Sequence, residues 1–273
     1  MTTTTPIPEL MRVFFMLNGI SEHESVTLKP WYGHALQAIL LNAIRHSYSP
    51  RYSAYLHEPN QLRPYTVSTL FPVSDDNKNF LFEITTLNQE TSKALLECII
   101  PGGLLSSDSK LDVSDIILSI KSVNIDEACR YSDLLSKEVI EVNTLNKSIQ
   151  MQLKTPTFFK DTVTKKTISQ LSTALLFNSL LSKWEALSET DIPSGFQDFL
   201  AESVFLIPTK LIKTKINVGK RIRLGLKGEF SIYSNDPFGE FWQFTNCLAR
   251  FATFSGVGKD TSTGFGKIRL IGY

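Results

Sequence analysis

Hydrophobic residues along the chain change period several times, and each change marks an element. Leu10 to Leu17 (LMRVFFML) is a β-rich run. From His34 the apolar residues Leu36, Ile39, Leu40, Ala43 and Ile44 recur at i, i+3, i+4, i+7 and i+8, one face of a helix that Pro50 ends. A short helical turn is expected over Arg51 to Leu56. Tyr65 to Phe71 (YTVSTLF) alternates as a strand, and the turn-rich SDDNK at 74–78 joins it to a strand from Phe80 to Thr86. A second helix runs from Glu90 to Ile100, burying Ala94, Leu95, Cys98 and Ile99 and stopped by Pro101-Gly102-Gly103. Val113 to Val123 completes a β-α-β-β-α-β order, the ferredoxin-like pattern.

The order then begins again. Asp126 to Lys137 is a polar connection and marks the expected boundary between domains over residues 1–128 and 138–273. Ile149 to Lys154 is a short strand and Ile168 to Leu187 a Leu-rich helix. Val204 to Asn217 and Arg221 to Tyr233 are two long strands joined through Val218-Gly219-Lys220. Asn235-Asp236-Pro237 opens a helix from Phe238 to Phe254, and Phe265 to Ile271 is the last strand. Ser188 to Leu200 is extra and more acidic, and reads as a surface insertion. The fold expected is therefore α+β, two ferredoxin-like (RRM-like) units in tandem.

Composition narrows the chemistry. A 42% hydrophobic and 20% charged chain of 273 residues supports one or two real cores. The formal net charge is only +1, so any nucleic-acid surface must come from local clustering. Cys98, Cys129 and Cys247 show no CxxC spacing. The four histidines, His23, His34, His46 and His57, lack metal-ligand spacing with cysteines or carboxylates, so no metal or cofactor is expected. Met1 to Pro8 has neither the basic start nor the apolar run of a signal peptide, and no stretch is apolar enough to span a membrane. A reducing cytoplasm fits these features.

Clustering does occur. Between Val204 and Gly228 stand Lys210, Lys213, Lys215, Lys220, Arg221, Arg223 and Lys227, with no acidic residue among them. Such a hairpin suits phosphate neutralisation, although many basic hairpins are only solvated surface. Further on, Gly256, Gly258, Gly264 and Gly266, with Lys259 and several hydroxyls, allow close backbone approach to a phosphate or base. A nucleotide P-loop is excluded, because this loop follows a helix and precedes a strand, and its lysine is misplaced.

GVGKDTSTGFGKIRL from Gly256 resembles the glycine-rich signature of the repeat-associated RNA-binding superfamily. LQAILLNAIRHSYSPRYSAYLHE (Leu36 to Glu58) with LRPYTVSTLF (Leu62 to Phe71) is similar to the N-terminal region of the CRISPR-associated endoribonucleases that process precursor guide RNA, the Cas-six family. LKTPTFF at 153–159 and KLIKTKINVGKRIRLGLKGEF resemble that family's C-terminal half. The resemblance implies binding of CRISPR repeat RNA and metal-independent cleavage of precursor crRNA. The ribose 2′-hydroxyl attacks the scissile phosphate and leaves a 2′,3′-cyclic phosphate and a 5′-hydroxyl. That reaction needs a base, an acid and a cation for the phosphorane. By position in the family motif, His57 in Tyr55-Leu56-His57-Glu58 is the expected general acid or base, and Arg63 the phosphate stabiliser. His34, opening the first helix, is the second choice. Where some relatives carry a tyrosine this chain has Leu41, for which Tyr48, Tyr52 or Tyr55 are candidate substitutes. His46 at the helix end reads as structural, and His23 as solvated. The RNA-binding set is Lys210, Lys213, Lys215, Lys220, Arg221, Arg223, Gly256, Gly258, Lys259, Gly264 and Gly266.

The competing readings are a non-catalytic crRNA-binding subunit of a CRISPR effector complex and a general tandem RRM protein. The latter lacks the aromatic RNP1 pattern on Phe80 to Thr86 and on Arg221 to Tyr233. Effector subunits and a homodimer remain open as partners.

Overall fold

The computed structural model describes residues 6–19, 28–29, 32–59, 61–73, 78–136, 148–160, 167–168, 170–218 and 221–271. The chain forms two compact units, Met1–Arg130 and Tyr131–Tyr273.

In the first unit the elements are β1 (Leu10–Gly19), α1 (Tyr32–Ser47), α2 (Pro50–His57), β2 (Tyr65–Val67), β3 (Phe71–Pro72), β4 (Asn79–Thr86), α3 (Gln89–Ile99), β5 (Lys110–Val113) and β6 (Ile116–Cys129). The sheet order is β2-β4-β1-β6-β5. With the β5 strand set aside, the fourth strand lies beside the first, the first beside the third and the third beside the second, the ferredoxin-like arrangement. Period-2 alternation explains β1: Met11, Val13, Phe15 and Leu17 are buried, while Arg12, Phe14 and Met16 face the other side. Phe15 stacks on its register partner Phe82 at 4.4 Å. Leu36, Leu40, Ala43 and Ile44 of α1 and Ala94, Leu95 and Cys98 of α3 cover this face in one apolar cluster.

Two strands differ from the sequence pattern. The strand expected over 65–71 is split, because the Ser68 hydroxyl takes the place of a ladder carbonyl and accepts from the Glu83 amide at 2.8 Å. The strand expected over 113–123 is a hairpin that turns at Ser114, with φ of +64°, and its second arm continues to Cys129. The first third of the polar connection expected at 126–137 is thus sheet. Its carboxylates are held by the Arg12 guanidinium, with Asp126 at 3.4 Å and Glu127 at 3.3 Å.

In the second unit the elements are α4 (Tyr131–Leu134), β7 (Ser148–Thr157), β8 (Phe159–Lys160), β9 (Thr167–Ile168), α5 (Thr173–Leu187), α6 (Phe196–Ser203), β10 (Val204–Pro208), β11 (Ile212–Val218), β12 (Arg221–Ser234), α7 (Glu240–Ser255) and β13 (Ile268–Leu270). The sheet order is β10-β12-β7-β13, with β11 also paired to β12, so the same ferredoxin-like order recurs. The helix expected from Ile168 starts only at Thr173, where Ser172 caps it by accepting from the Leu175 amide at 3.2 Å.

The long strand expected over 204–217 is broken at Thr209 and Lys210, whose amides both donate to Glu229 O, at 2.9 and 3.0 Å. Opposite this bulge Gly228 has φ of +121°, and a Cβ there would lie 1.9 Å from Lys210 O. Ser188 to Leu200 is not a surface insertion throughout. Its last part enters α6, where Phe196, Phe199 and Leu200 are buried and Phe196 packs edge-on to Phe244 at 4.9 Å. Trp184 of α5 meets Tyr131, Phe244 and Phe251 edge-on at 5.1, 5.5 and 5.3 Å, forming the aromatic centre of this core.

Candidate functional site

The junction of α1 and α2 decides where the candidate groups of the first unit fall. The Tyr48 and Ser49 amides both donate to Ile44 O, at 3.0 and 2.9 Å, which closes α1. Ser49 then caps α2 through its hydroxyl, and Pro50 occupies the first turn, where a missing amide costs nothing. The chain therefore reverses within two residues, and Ser53 Oγ donates to Leu41 O at 2.7 Å, pinning α2 back along α1.

His57 is the last residue of α2. Gln37 is buried and donates Nε2 to the Tyr65 hydroxyl at 2.9 Å. Tyr65 opens β2 two residues after Arg63, whose charge acts on its phenol. Burial, the larger influence, raises that phenol's pKa. His34 sits one turn before Gln37 on the same side of α1. His34 and His57 are exposed and Arg63 is half-buried. The Gln37–Tyr65 bond thus lies one helical turn from His34 and within reach of the Arg63 charge. Nothing in the hydrophobic pattern singles out Gln37, since it reads as one more polar position between Leu36 and Leu40.

The tyrosines look elsewhere. The Tyr52 hydroxyl is 2.7 Å from Thr91 Oγ1 at the start of α3, and burial raises its pKa. Tyr48 donates to Glu90 on the same helix. Tyr55 is 46% exposed and stacks on Tyr52 at 5.9 Å between centroids. Leu41 is packed in the core. His46 is exposed in the last turn of α1, and His23 lies outside the described residues.

In the second unit the glycine-rich loop is locked to the end of β7. Lys259 N donates to Phe158 O at 2.8 Å, Gly266 N to Pro156 O at 3.1 Å, and Val257 N to Gly266 O at 2.9 Å. Gly258 adopts φ of +76° with no room for a side chain, since a Cβ would lie 2.3 Å from Phe158 O. Gly256, Gly264 and Gly266 are buried and Gly258 partly so, while Lys259 and Asp260 are exposed. The glycines serve close backbone packing, and the loop presents a lysine at its surface.

Beneath the loop lies Lys183. Its ammonium donates to Ser255 O at 2.7 Å and Gly256 O at 2.9 Å, and burial lowers its pKa from 10.5 to about 7. Lys267, also buried, donates to Thr253 O at 2.9 Å. Both lysines bond to carbonyls at the C-terminal end of α7, where the helix dipole favours cations. Sequence carried a signal for Lys183, because it falls on the apolar stripe of Leu176, Leu180 and Trp184.

The basic hairpin spreads its charges over two faces. Lys213 and Lys215 pair with Leu226 and Leu224 and are exposed. Arg223 pairs with Ile216 on the opposite face, ion-pairs with Asp260 of the glycine loop and lies 5.8 Å from the Phe158 ring centroid. Lys210 is exposed and 3.9 Å from Glu229. Position 221 pairs with Val218, and Lys220 lies outside the described residues. Among the described residues no group of three or more His, Cys, Asp or Glu side chains could hold a metal ion, and no helix is long and apolar enough to cross a membrane.

Residues 151–268 match the family model of the CRISPR-associated endoribonuclease Cas6. A Cas6 product complex is similar in structure, with 17% identity, 96% of this chain and 99% of that chain covered, and a TM-score of 0.74. Thermus thermophilus Cas6 aligns at 18% identity over 98% of this chain and 100% of its own, with a TM-score of 0.71. A Cas6-related protein of Pyrococcus furiosus aligns at 16% identity over 96% and 98%, with a TM-score of 0.64. At these identities the likeness shows the fold, and the fold is the tandem ferredoxin-like one expected. No curated protein sequence matches the chain. The family model and the shared fold bear out the resemblance read from the sequence.

Proposed function

From a chain that resembles the Cas6 endoribonucleases in sequence over residues 151–268 and in fold over nearly its whole length, we propose that this protein binds CRISPR repeat RNA and cleaves precursor crRNA. The observation that supports cleavage is local. His34 lies one turn before Gln37 on α1, Gln37 donates to the Tyr65 phenol that the Arg63 charge reaches, and His57 ends α2.

One exposed imidazole takes the proton of the ribose 2′-hydroxyl as its oxygen bonds to phosphorus, and the second protonates the departing 5′-oxygen as the P–O5′ bond breaks. His57 fills one role and His34 the other. The Arg63 guanidinium offsets charge on the phosphorane. The products are a 2′,3′-cyclic phosphate and a 5′-hydroxyl, and no step calls on a metal. Tyr52, engaged with Thr91, packs the helix pair rather than reacting. Lys259 at the glycine loop and Lys213 and Lys215 on the hairpin supply the phosphate contacts, with Arg223 holding the loop against the hairpin through Asp260.

The test is cleavage of the host's repeat RNA in EDTA. A single cut ending in a cyclic phosphate is expected. It is lost with a 2′-deoxyribose at the scissile position and reduced about 10²–10⁴-fold in His57→Ala, with RNA affinity retained. Strict dependence on Mg²⁺ refutes the mechanism. Tight binding without any cut assigns the chain instead to holding crRNA as a subunit of an effector complex.

A further inference from the structure

The glycine-rich loop at 256–266 is gripped from two sides, and the two grips differ in kind. On the β7 side the bonds are backbone to backbone, from Lys259 N to Phe158 O and from Gly266 N to Pro156 O. On the α5 side two side chains do the holding. Ser179 and Lys183 stand four residues apart and so share one face of the helix. Ser179 Oγ accepts from the Gly258 amide at 2.8 Å. The Lys183 amine donates to Ser255 O at 2.7 Å and to Gly256 O at 2.9 Å.

The carbonyls of two consecutive residues thus converge on one nitrogen. Carbonyl oxygens brought together in this way repel unless a donor stands between them. Lys183 therefore sets the path of the chain as it leaves α7 at Gly256, with φ of +60°, and Ser179 sets it again at Gly258, with φ of +76°. The next residue is Lys259, which is exposed. A lysine carries its charge on a flexible stem, so the space its ammonium samples is decided by where its own backbone is fixed. Lys183 is only 6% exposed, and burying an amine is unfavourable. A methionine would continue the apolar stripe of α5 without that cost, but it would leave the two carbonyls with no donor from the helix.

We propose that Ser179 and Lys183 are positioning residues for RNA recognition, which from α5 hold the glycine loop in the path that presents Lys259 to a phosphate. The proposal rests on the reading that Lys259 contacts the repeat RNA. The polar atoms of both side chains are engaged with loop backbone, so their effect passes through the loop. A loop fixed in advance binds without first being ordered, and releasing either anchor adds that ordering to the cost of binding. The reacting groups proposed for cleavage lie in the first unit, so the loss falls on affinity and not on the rate of cutting bound RNA.

The test measures affinity for the repeat RNA, and cleavage at saturating RNA, in the full chain. The variants are Lys183→Met, Ser179→Ala, Ser179→Thr and Lys259→Met, together with Lys183→Met and Ser179→Ala each combined with Lys259→Met. Tryptophan fluorescence checks that each is folded at the assay temperature. Lys183→Met and Ser179→Ala are each expected to bind roughly 3- to 30-fold more weakly and to cleave saturating RNA at the wild-type rate. Ser179→Thr keeps the hydroxyl and is expected to restore binding. In the Lys259→Met background either loss should shrink, because both changes act on one contact. If Lys183→Met does not fold, the Ser179→Ala cycle decides alone. Wild-type affinity in the folded variants overturns the inference and leaves the proposed function standing. A loss as large with Lys259→Met as without it also overturns the inference, and marks the two residues as general support of the fold. Wild-type binding by Lys259→Met alone removes the loop contact itself, and the inference falls with it.

Discussion

Lys183 is the sharpest physical test of the second unit. Its amine is fully enclosed, and burial brings its pKa from 10.5 down to about 7. The unfolded chain keeps the ordinary value, so between these two limits the unfolded state holds a proton that the folded state lacks. Unfolding free energy therefore rises with pH across that window, by about 1.4 kcal/mol per pH unit for one proton. The penalty is complete below about pH 7 and gone above about 10.5. From pH 7.5 to 9.5 the wild type should gain roughly 2–3 kcal/mol from this group. Lys183→Met has no proton to lose and gains nothing. Groups common to both proteins cancel in the difference. Urea unfolding followed by tryptophan fluorescence suits the measurement, because Trp184 and Trp242 are both buried in this unit. Parallel stability curves for the two proteins from pH 7.5 to 9.5 would refute the reasoning, and would mean that the Ser255 and Gly256 carbonyls repay the burial of a charged ammonium.

Other outcomes follow from single contacts. Gly258→Ala sets a Cβ against Phe158 O in left-handed backbone, and is expected to cost more than about 2 kcal/mol and to weaken repeat-RNA binding. Unchanged melting would show that the loop is not locked to β7. Tyr65→Phe removes the buried hydrogen bond from the Gln37 amide to the Tyr65 hydroxyl, at a cost of about 1–3 kcal/mol. Single-turnover cleavage should slow more than binding weakens, and equal rates would remove Tyr65 from the support of the site. Phe196→Ala should cost about 3–5 kcal/mol by emptying the pocket it fills beside Phe244. A loss below 1 kcal/mol, read in the same urea titration, would return this stretch to the surface.

Sequence periodicity revealed the two-unit order because the core strands and helices alternate cleanly, as in Met11 to Leu17 and Leu36 to Ile44. It failed where a side chain or a local bond overrides the pattern. Ser68 replaces a backbone acceptor, Glu229 O receives two amides at one bulge, and Arg12 draws acidic residues into a strand. The acidic character of 188–200 hid the three apolar residues that begin α6. His57, His34 and Arg63 are expectations drawn from motif and residue type. The Gln37–Tyr65 bond carried no signal in the sequence, because its partners are 28 positions apart. Charge counting found the basic hairpin, but only register shows that Arg223 and the two lysines face opposite ways.

The tight reversal at Tyr48 and Ser49 has a consequence for how such a protein can change over time. Because α2 folds straight back along α1, the proposed reacting groups are all drawn from one uninterrupted passage, residues 34 to 65, while the proposed grip on phosphate is written much later, in residues 210 to 266. The proposed catalysis and the proposed recognition are thus separately inheritable. A crossover between β1 and β4 could replace the proposed cutting chemistry wholesale and leave the proposed phosphate contacts of the second unit untouched. A lineage could silence cleavage by point changes in the early passage and keep a working RNA holder.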